Sequence, residues 1–284
     1  MPFDLVIACD WSSEKGRKPT PGENRCWLSW ATRDDPPDRR PDPEYMPTRL
    51  EAEARVRELL TGHAGARCLA GFDFCIGYPL TVDGAPVLSI GRNLCSMIAG
   101  RISDDPSGVN NRFEVADQLN REIRAATNAE RGPYWGRPRE LSHLGDLPER
   151  QPTGGTNIER YRAVEGVARG QSKQKPQSAW KLWTTGNVGS QTLMGLPTVH
   201  RLLTDAELAP RSHLWPFEPA PDRSDAITVA EIYPSLFPER APKHWYKDAR
   251  QVTDSRNAMM ELDALPQPRH PRATLEGWIV GVEG

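Results

Sequence analysis

The sequence predicts an α/β protein in which helices flank a mixed β-sheet. Three observations carry that expectation. Apolar runs of strand length recur at "LVIAC", "RCLAGF" and "AITVA", and each has an acid at or near its C-terminal end: Asp10, Asp73 and Glu231. The first run is followed, across a Gly/Pro/Lys-rich connection, by the alternating run "RCWLSWAT", the pattern of an antiparallel hairpin. Between the runs lie stretches with apolar residues at helical spacing, and that succession favours a sheet covered by helices.

Taken in order, residues 5–9 read as a buried strand and 25–32 as its hairpin partner, and the Pro/Asp/Arg-rich stretch 34–47 reads as a connection. In "TRLEAEARVRELLTG", Thr48 caps a helix with Glu51 three positions later. Leu50, Ala54, Val56 and Leu59 give it an apolar face, and Gly62 ends it. The next strand lies in "ARCLAGFDFCIGYP", with Asp73 ahead of a Gly-Tyr-Pro turn. From Leu80 to about Arg223 regularity falls, although 111–126 and 189–203 have helical periodicity, the second interrupted by Pro197. That span reads as a large, mainly helical or irregular insertion between the fourth and fifth core strands. The expected organisation is a core of 1–79 with 224–284 and an inserted subdomain of 80–223. Regularity returns with a strand at 227–233 and a helix at 252–265 capped near Thr253 or Asp254. The apolar end, "LEGWIVGVEG", reads as a closing strand or a docked tail.

Charge narrows the function. With 36 basic and 38 acidic residues the formal net charge is −2, so no global field draws the chain to nucleic acid or membrane, and any nucleic-acid contact needs a local basic patch. No apolar stretch approaches the roughly 20 residues of a membrane span. The opening Met1-Pro2-Phe3-Asp4 lacks the basic start and apolar core of a signal peptide, so the expectation is a cytoplasmic protein with no membrane partner. The oligomeric state is left open. Five cysteines without a Cys-x-x-Cys pair read as buried thiols, and six scattered histidines give neither a zinc motif nor an acyl-transfer triad.

The acids carry the chemistry. Asp10, Asp73 and Glu231 each follow or interrupt an apolar strand, where desolvation normally excludes a carboxylate. If the strands are neighbours, their ends converge, and divalent cations make such a cluster tolerable. Hard oxygen donors select Mg2+ or Mn2+. Asp254 is a candidate fourth ligand from the late helix. Two such ions activate a water and stabilise the leaving oxygen in phosphodiester cleavage, with Asp10 bridging the ions, Asp73 and Asp254 holding one each, and Glu231 completing the shell or positioning water. The competing reading is that each acid caps a loop or pairs with a local Arg.

The motifs "ACDWSS", "GFDFCIGYP", "NRFEVADQLN", "KPQSAWKLWTTGNVGSQTLMGLP", "AEIYPSLF" and "EGWIVGV" span nearly the whole chain. In them the sequence resembles the ribonuclease H-like superfamily and, more closely, the family catalogued as domain of unknown function 429, predicted nucleases of that fold. The resemblance implies Asp10 and Asp73 as core acids and Glu231 as the acid of the late strand. It departs in the late helix: relatives often show Asp-x-x-Asp-Ala, whereas this chain reads Asp254-Ser255-Arg256-Asn257-Ala258, which leaves the last ligand open between Asp254 and Asn257.

The middle of the chain supplies the substrate-binding candidates. "QSKQKPQSAWKLWTTGNVGSQ" mixes Lys173, Lys175 and Lys181 with Trp180 and Trp183 and then places Gly186, Gly189, Ser190 and Gln191 at a helix start. Lysines hold phosphates, indoles stack on bases, and glycines let backbone amides approach an anion. Arg112, at the start of the other helix, is placed to pair a phosphate, with Asn120 further along. The alternative is that these tryptophans pack the core, the lysines stay solvated, and Arg112 and Asn120 cap or pair locally. The expected function is a divalent-metal-dependent nuclease or phosphodiester hydrolase acting on nucleic acid or a nucleotide. Two other classes compete: an actin-like ATPase or phosphotransferase, some relatives being linked to molybdopterin dinucleotide synthesis, and an inactive binding scaffold.

Overall fold

A computed structural model describes residues 2–172 and 174–283. The chain forms an α/β protein on one six-stranded mixed sheet: β1 (Leu5–Asp10), β2 (Cys26–Thr32), β3 (Glu44–Met46), β4 (Cys68–Asp73), β5 (Ser212–Leu214) and β6 (Ile227–Glu231). The strand order is β3-β2-β1-β4-β6-β5. The β1–β2 and β2–β3 pairs are antiparallel, and β1–β4, β4–β6 and β5–β6 are parallel.

Strand β1 is buried along its whole length because the sheet is covered on both sides. Alternate side chains enter different apolar clusters. Leu5, Ile7 and Cys9 join one with Val56 and Leu59 of α1 (Arg49–Gly62), Leu94 and Ile98 of α2 (Gly91–Ala99), Leu119 of α3 (Arg112–Thr127), and Leu193, Leu196 and Val199. Val6 and Ala8 join the other, with Val164 of α4 (Ala163–Gln171), Val252 and Met259 of α6 (Lys247–Met260) and Ala273 of α7 (Ala273–Glu276). All five cysteines are free and buried, as their apolar contexts suggest.

Several elements differ from the sequence reading. The helix expected to break at Pro197 runs unbroken as α5 (Val188–Thr204). An interior proline costs about 3 kcal/mol, but Leu193, Leu196 and Val199 are completely buried around it, worth roughly 1.5–3 kcal/mol each. Packing outweighs the missing N–H. Gly195 makes this packing possible, because a Cβ there would lie 2.3 Å from the Phe74 ring. The span 80–223 does not stand apart from the sheet: α2, α3 and α5 share the apolar cluster of β1, and β5 forms the sheet's edge. The short β3 falls in the stretch read as a connection. The late helix begins at Lys247, five residues before the expected start, and ends at Met260. The C-terminal segment docks: Trp278, Ile279 and Val280 are buried, and Val280 N–H donates to the Glu231 carbonyl.

Candidate functional site

Because β1 and β4 are parallel and in register, Asp10 lies directly opposite Asp73, and in the next pair Phe72 lies opposite Glu231. All three acids border a cleft of about 1000 Å³ beyond the carboxyl ends of these strands, where open α/β sheets collect their ligands. A further carboxylate joins them. Asp248, in the first turn of α6, lines the same cleft and accepts a hydrogen bond from Asn24 N–H at 2.5 Å.

The electrostatics separate these groups into two sets. Burial pushes the Asp10 carboxyl well above its ordinary range, and the charges of Asp73 and Asp248 push it further. Asp73 is pushed up to about 8 by burial, then by Glu231 and Asp248. Asp248 is raised by burial against the opposing effect of the Asn24 and Arg25 amides. Lys247 is the cation acting on all three. Glu231 belongs to the other set: the Arg162 guanidinium donates to both its oxygens, at 2.5 and 2.7 Å, and Ile76 N–H donates at 2.9 Å. Arg162, completely buried, also bonds to Glu165 at 2.6 Å and to the Cys75 sulfur at 3.2 Å.

Two groups of donors therefore bear on a cation. Cys75, Glu165 and Glu231 each bring a ligand atom within 4.8 Å of the others, the only such triad among the described residues, and could hold a metal ion. The Arg162 guanidinium already neutralises these groups, so an ion there has to displace a buried cation. Asp10, Asp73 and Asp248 are spaced more widely and offer oxygen donors alone, and no arginine pairs with them among the described residues. Buried carboxylates without an arginine partner among the described residues are the kind of oxygen donors that hard divalent cations take.

Asp254 does not reach the cleft. It lies six residues beyond Asp248, about 9 Å further along the helix and turned well away from it, and it accepts the N–H groups of Arg240 and Ala241 at 3.1 and 2.9 Å. Asn257 accepts a hydrogen bond from Arg40 at 2.9 Å. Neither late-helix candidate lines the cleft; the acid of α6 that does so is Asp248. The sequence reading missed it because that reading starts the helix too late. The available signal was an acid in the first turn, the position the helix dipole favours.

Of the substrate-binding candidates, Arg112, Lys175, Trp183 and Gln191 line the cleft. Gln191 donates to the Trp11 carbonyl at 2.7 Å and so fixes the chain just after Asp10. Lys181 points into its own loop, donating to the Thr185 carbonyl, and Ser190 is completely buried, donating to the Leu182 carbonyl at 2.6 Å. Neither lines the cleft among the described residues. Trp180 is core, stacked on Tyr78 at 4.5 Å, and Asn120 bonds to the Tyr134 backbone. Lys173 lies outside the described residues. No helix among the described residues is long and apolar enough to cross a membrane.

Comparison with family models, curated proteins and solved structures returns no match to this chain. The arrangement itself defines a class of site: a cleft at strand ends lined by carboxylates together with lysine, arginine and tryptophan side chains.

Proposed function

We propose that this protein is a divalent-cation-dependent hydrolase of phosphate esters on a ribonuclease H-like sheet, as the resemblance to the domain of unknown function 429 family implies. One observation carries the reading: Asp10 and Asp73 face each other in register, with Asp248 acting on both, in a cleft where no arginine among the described residues pairs with them. The strand order, with an antiparallel β1–β2–β3 portion followed by parallel strands, supports the fold assignment.

Asp10, Asp73 and Asp248 are the residues that would hold Mg2+ or Mn2+, and the ion would supply an activated water and charge neutralisation at the leaving oxygen. Asp10, in register with Asp73 and acted on by Asp248, would be the central acid of the set. Glu231, fastened to Arg162, keeps the ends of β4 and β6 aligned beneath the cleft. Arg112 and Lys175 hold the substrate's phosphate oxygens. Lys15 and Lys18 in the β1–β2 connection also line the cleft and favour a second reading, a nucleotide phosphotransferase or ATPase using the same acids.

The test is Mn2+ titration calorimetry together with hydrolysis of a chromogenic phosphodiester. Asp10→Asn and Asp73→Asn are expected to lose Mn2+ binding and at least about 100-fold in rate, the scale of removing a main charge stabiliser. Unchanged Mn2+ affinity in both variants sinks the proposal. Turnover of ATP without diester cleavage selects the second reading.

A further inference from the structure

Arg112 is an arginine with nothing negative beside it. Its side chain is 3% exposed, and no carboxylate pairs with it among the described residues; Glu114 and Asp104 act on it only through space. Two of its nitrogens are fixed, Nε donating to Ser190 Oγ at 3.0 Å and Nη1 to Asn110 Oδ1 at 2.7 Å, whereas Nη2 carries no hydrogen bond among the described residues. Ser190 is itself held by the Leu182 carbonyl, so the guanidinium is oriented before any ligand arrives. Burial, and then Arg49, bring its pKa down to about 10, which still leaves it charged at neutral pH. A desolvated, oriented cation without a counter-charge on the wall of a cleft calls for an anion.

The second observation is aromatic. Trp183 is one of the few large apolar side chains left exposed, at 43%, and it borders the same cleft. Both groups sit on one ring: the Arg112 guanidinium lies 4.3 Å from the Phe113 centroid, and the Trp183 indole meets Phe113 edge-on at 6.0 Å. Their shared neighbour keeps them within the reach of one nucleotide's phosphate and base. Charge and size select among ligands that carry both. Among the described residues, the cleft walls hold five cationic side chains against seven carboxylates, and the chain's net charge is −2. A polynucleotide needs a continuous basic track to offset its phosphates, whereas a cleft of about 1000 Å³ has the dimensions of a small-molecule site.

We propose that Arg112 and Trp183, seated together on Phe113, form a phosphate-plus-base subsite, and that the substrate is a small nucleotide and not a polynucleotide. The proposal rests on the hydrolase reading and narrows its substrate.

Calorimetry with AMP, adenosine, inorganic phosphate and a dodecanucleotide single strand tests it on wild type, Arg112→Gln and Trp183→Ala. Wild type is expected to bind AMP at least about tenfold more tightly than adenosine, the scale of a charge-assisted contact. Arg112→Gln abolishes that preference. Trp183→Ala weakens AMP about tenfold, as loss of a stacking face does, and leaves inorganic phosphate unchanged. AMP binding that is unaffected in a folded Arg112→Gln overturns the subsite. If that variant fails to fold, the exposed Trp183→Ala decides: equal AMP affinity overturns the proposal. So does a dodecanucleotide that binds more than tenfold tighter than AMP with steep salt dependence, which assigns the cleft to a polymer. Mn2+ titration of the same samples separates the two ideas. Absent Mn2+ binding with the AMP pattern intact removes the hydrolase and leaves the subsite; the reverse removes only the subsite.

Discussion

Asp73 shows what placing a carboxylate among others at a sheet end does to a fold. Its folded-state pKa, about 8, lies far above the roughly 3.9 of an unfolded aspartate, so the native state holds the proton more tightly. The sign follows from linkage: the stability that comes with a neutral Asp73 is fully present below about pH 4 and is lost as pH rises through about 8. Without divalent ions, the wild type is therefore expected to lose about 1–2 kcal/mol more stability than Asp73→Asn between pH 5 and pH 8. Partial exposure of the side chain keeps this well short of the full 1.36 kcal/mol per unit. Urea melts in chelator at the two pH values measure the difference. Parallel loss in both proteins contradicts the assignment. Glu231, at a similar strand end, is instead gripped by the Arg162 guanidinium. The same sequence pattern therefore yields an acid without an arginine partner at Asp73 and an arginine-paired acid at Glu231, and only the long-range partner, 69 residues away in the chain, tells them apart.

At the scale of elements, β1 and β4 were readable because a buried strand leaves an uninterrupted apolar run, and the acids that end these runs mark the cleft. Helix α6 was readable as a helix but not in its start. Tyr246 makes no side-chain cap, so the boundary carries no Ser/Thr/Asp signal, and Thr253-Asp254 imitates one inside the helix. That one misplacement drew attention to Asp254, outside the cleft, in place of Asp248, which lines it. The two acids are expected to separate cleanly. Asp248→Asn keeps an acceptor for Asn24 N–H and so keeps the fold, but it is expected to weaken Mn2+ binding at least about tenfold. Asp254→Asn leaves Mn2+ binding unchanged and costs about 1 kcal/mol by weakening its bonds to the Arg240 and Ala241 amides. Calorimetry and thermal melts of the pair check this. Equal metal affinity in Asp248→Asn returns α6 to a purely structural role.

Across the whole molecule, the central strands were legible from local pattern and the apolar C-terminal run already read as a closing strand or docked tail, whereas β5 and β3 were not legible, because three-residue strands draw their stability from neighbours distant in sequence. The site depends on the same long-range assembly: Asp10 and Asp73 come from adjacent strands and Asp248 from a helix packed across β1 and β2. An ion held by all three ties these elements together, so cation binding is expected to appear as global stability. At an Mn2+ concentration 100 times the dissociation constant at pH 8, the gain is about 2.7 kcal/mol, or a Tm rise of about 5 °C for a chain of this size. At pH 6, two units below the Asp73 value, proton competition weakens binding up to about 100-fold, and the same Mn2+ then adds only about 0.4 kcal/mol, under about 1 °C. Differential scanning calorimetry at both pH values, on wild type and on Asp10→Asn/Asp73→Asn, measures this directly. A shift of the same size at pH 6 and pH 8, or one that survives in the double variant, places the ion elsewhere, with the Cys75, Glu165 and Glu231 group the first alternative to examine.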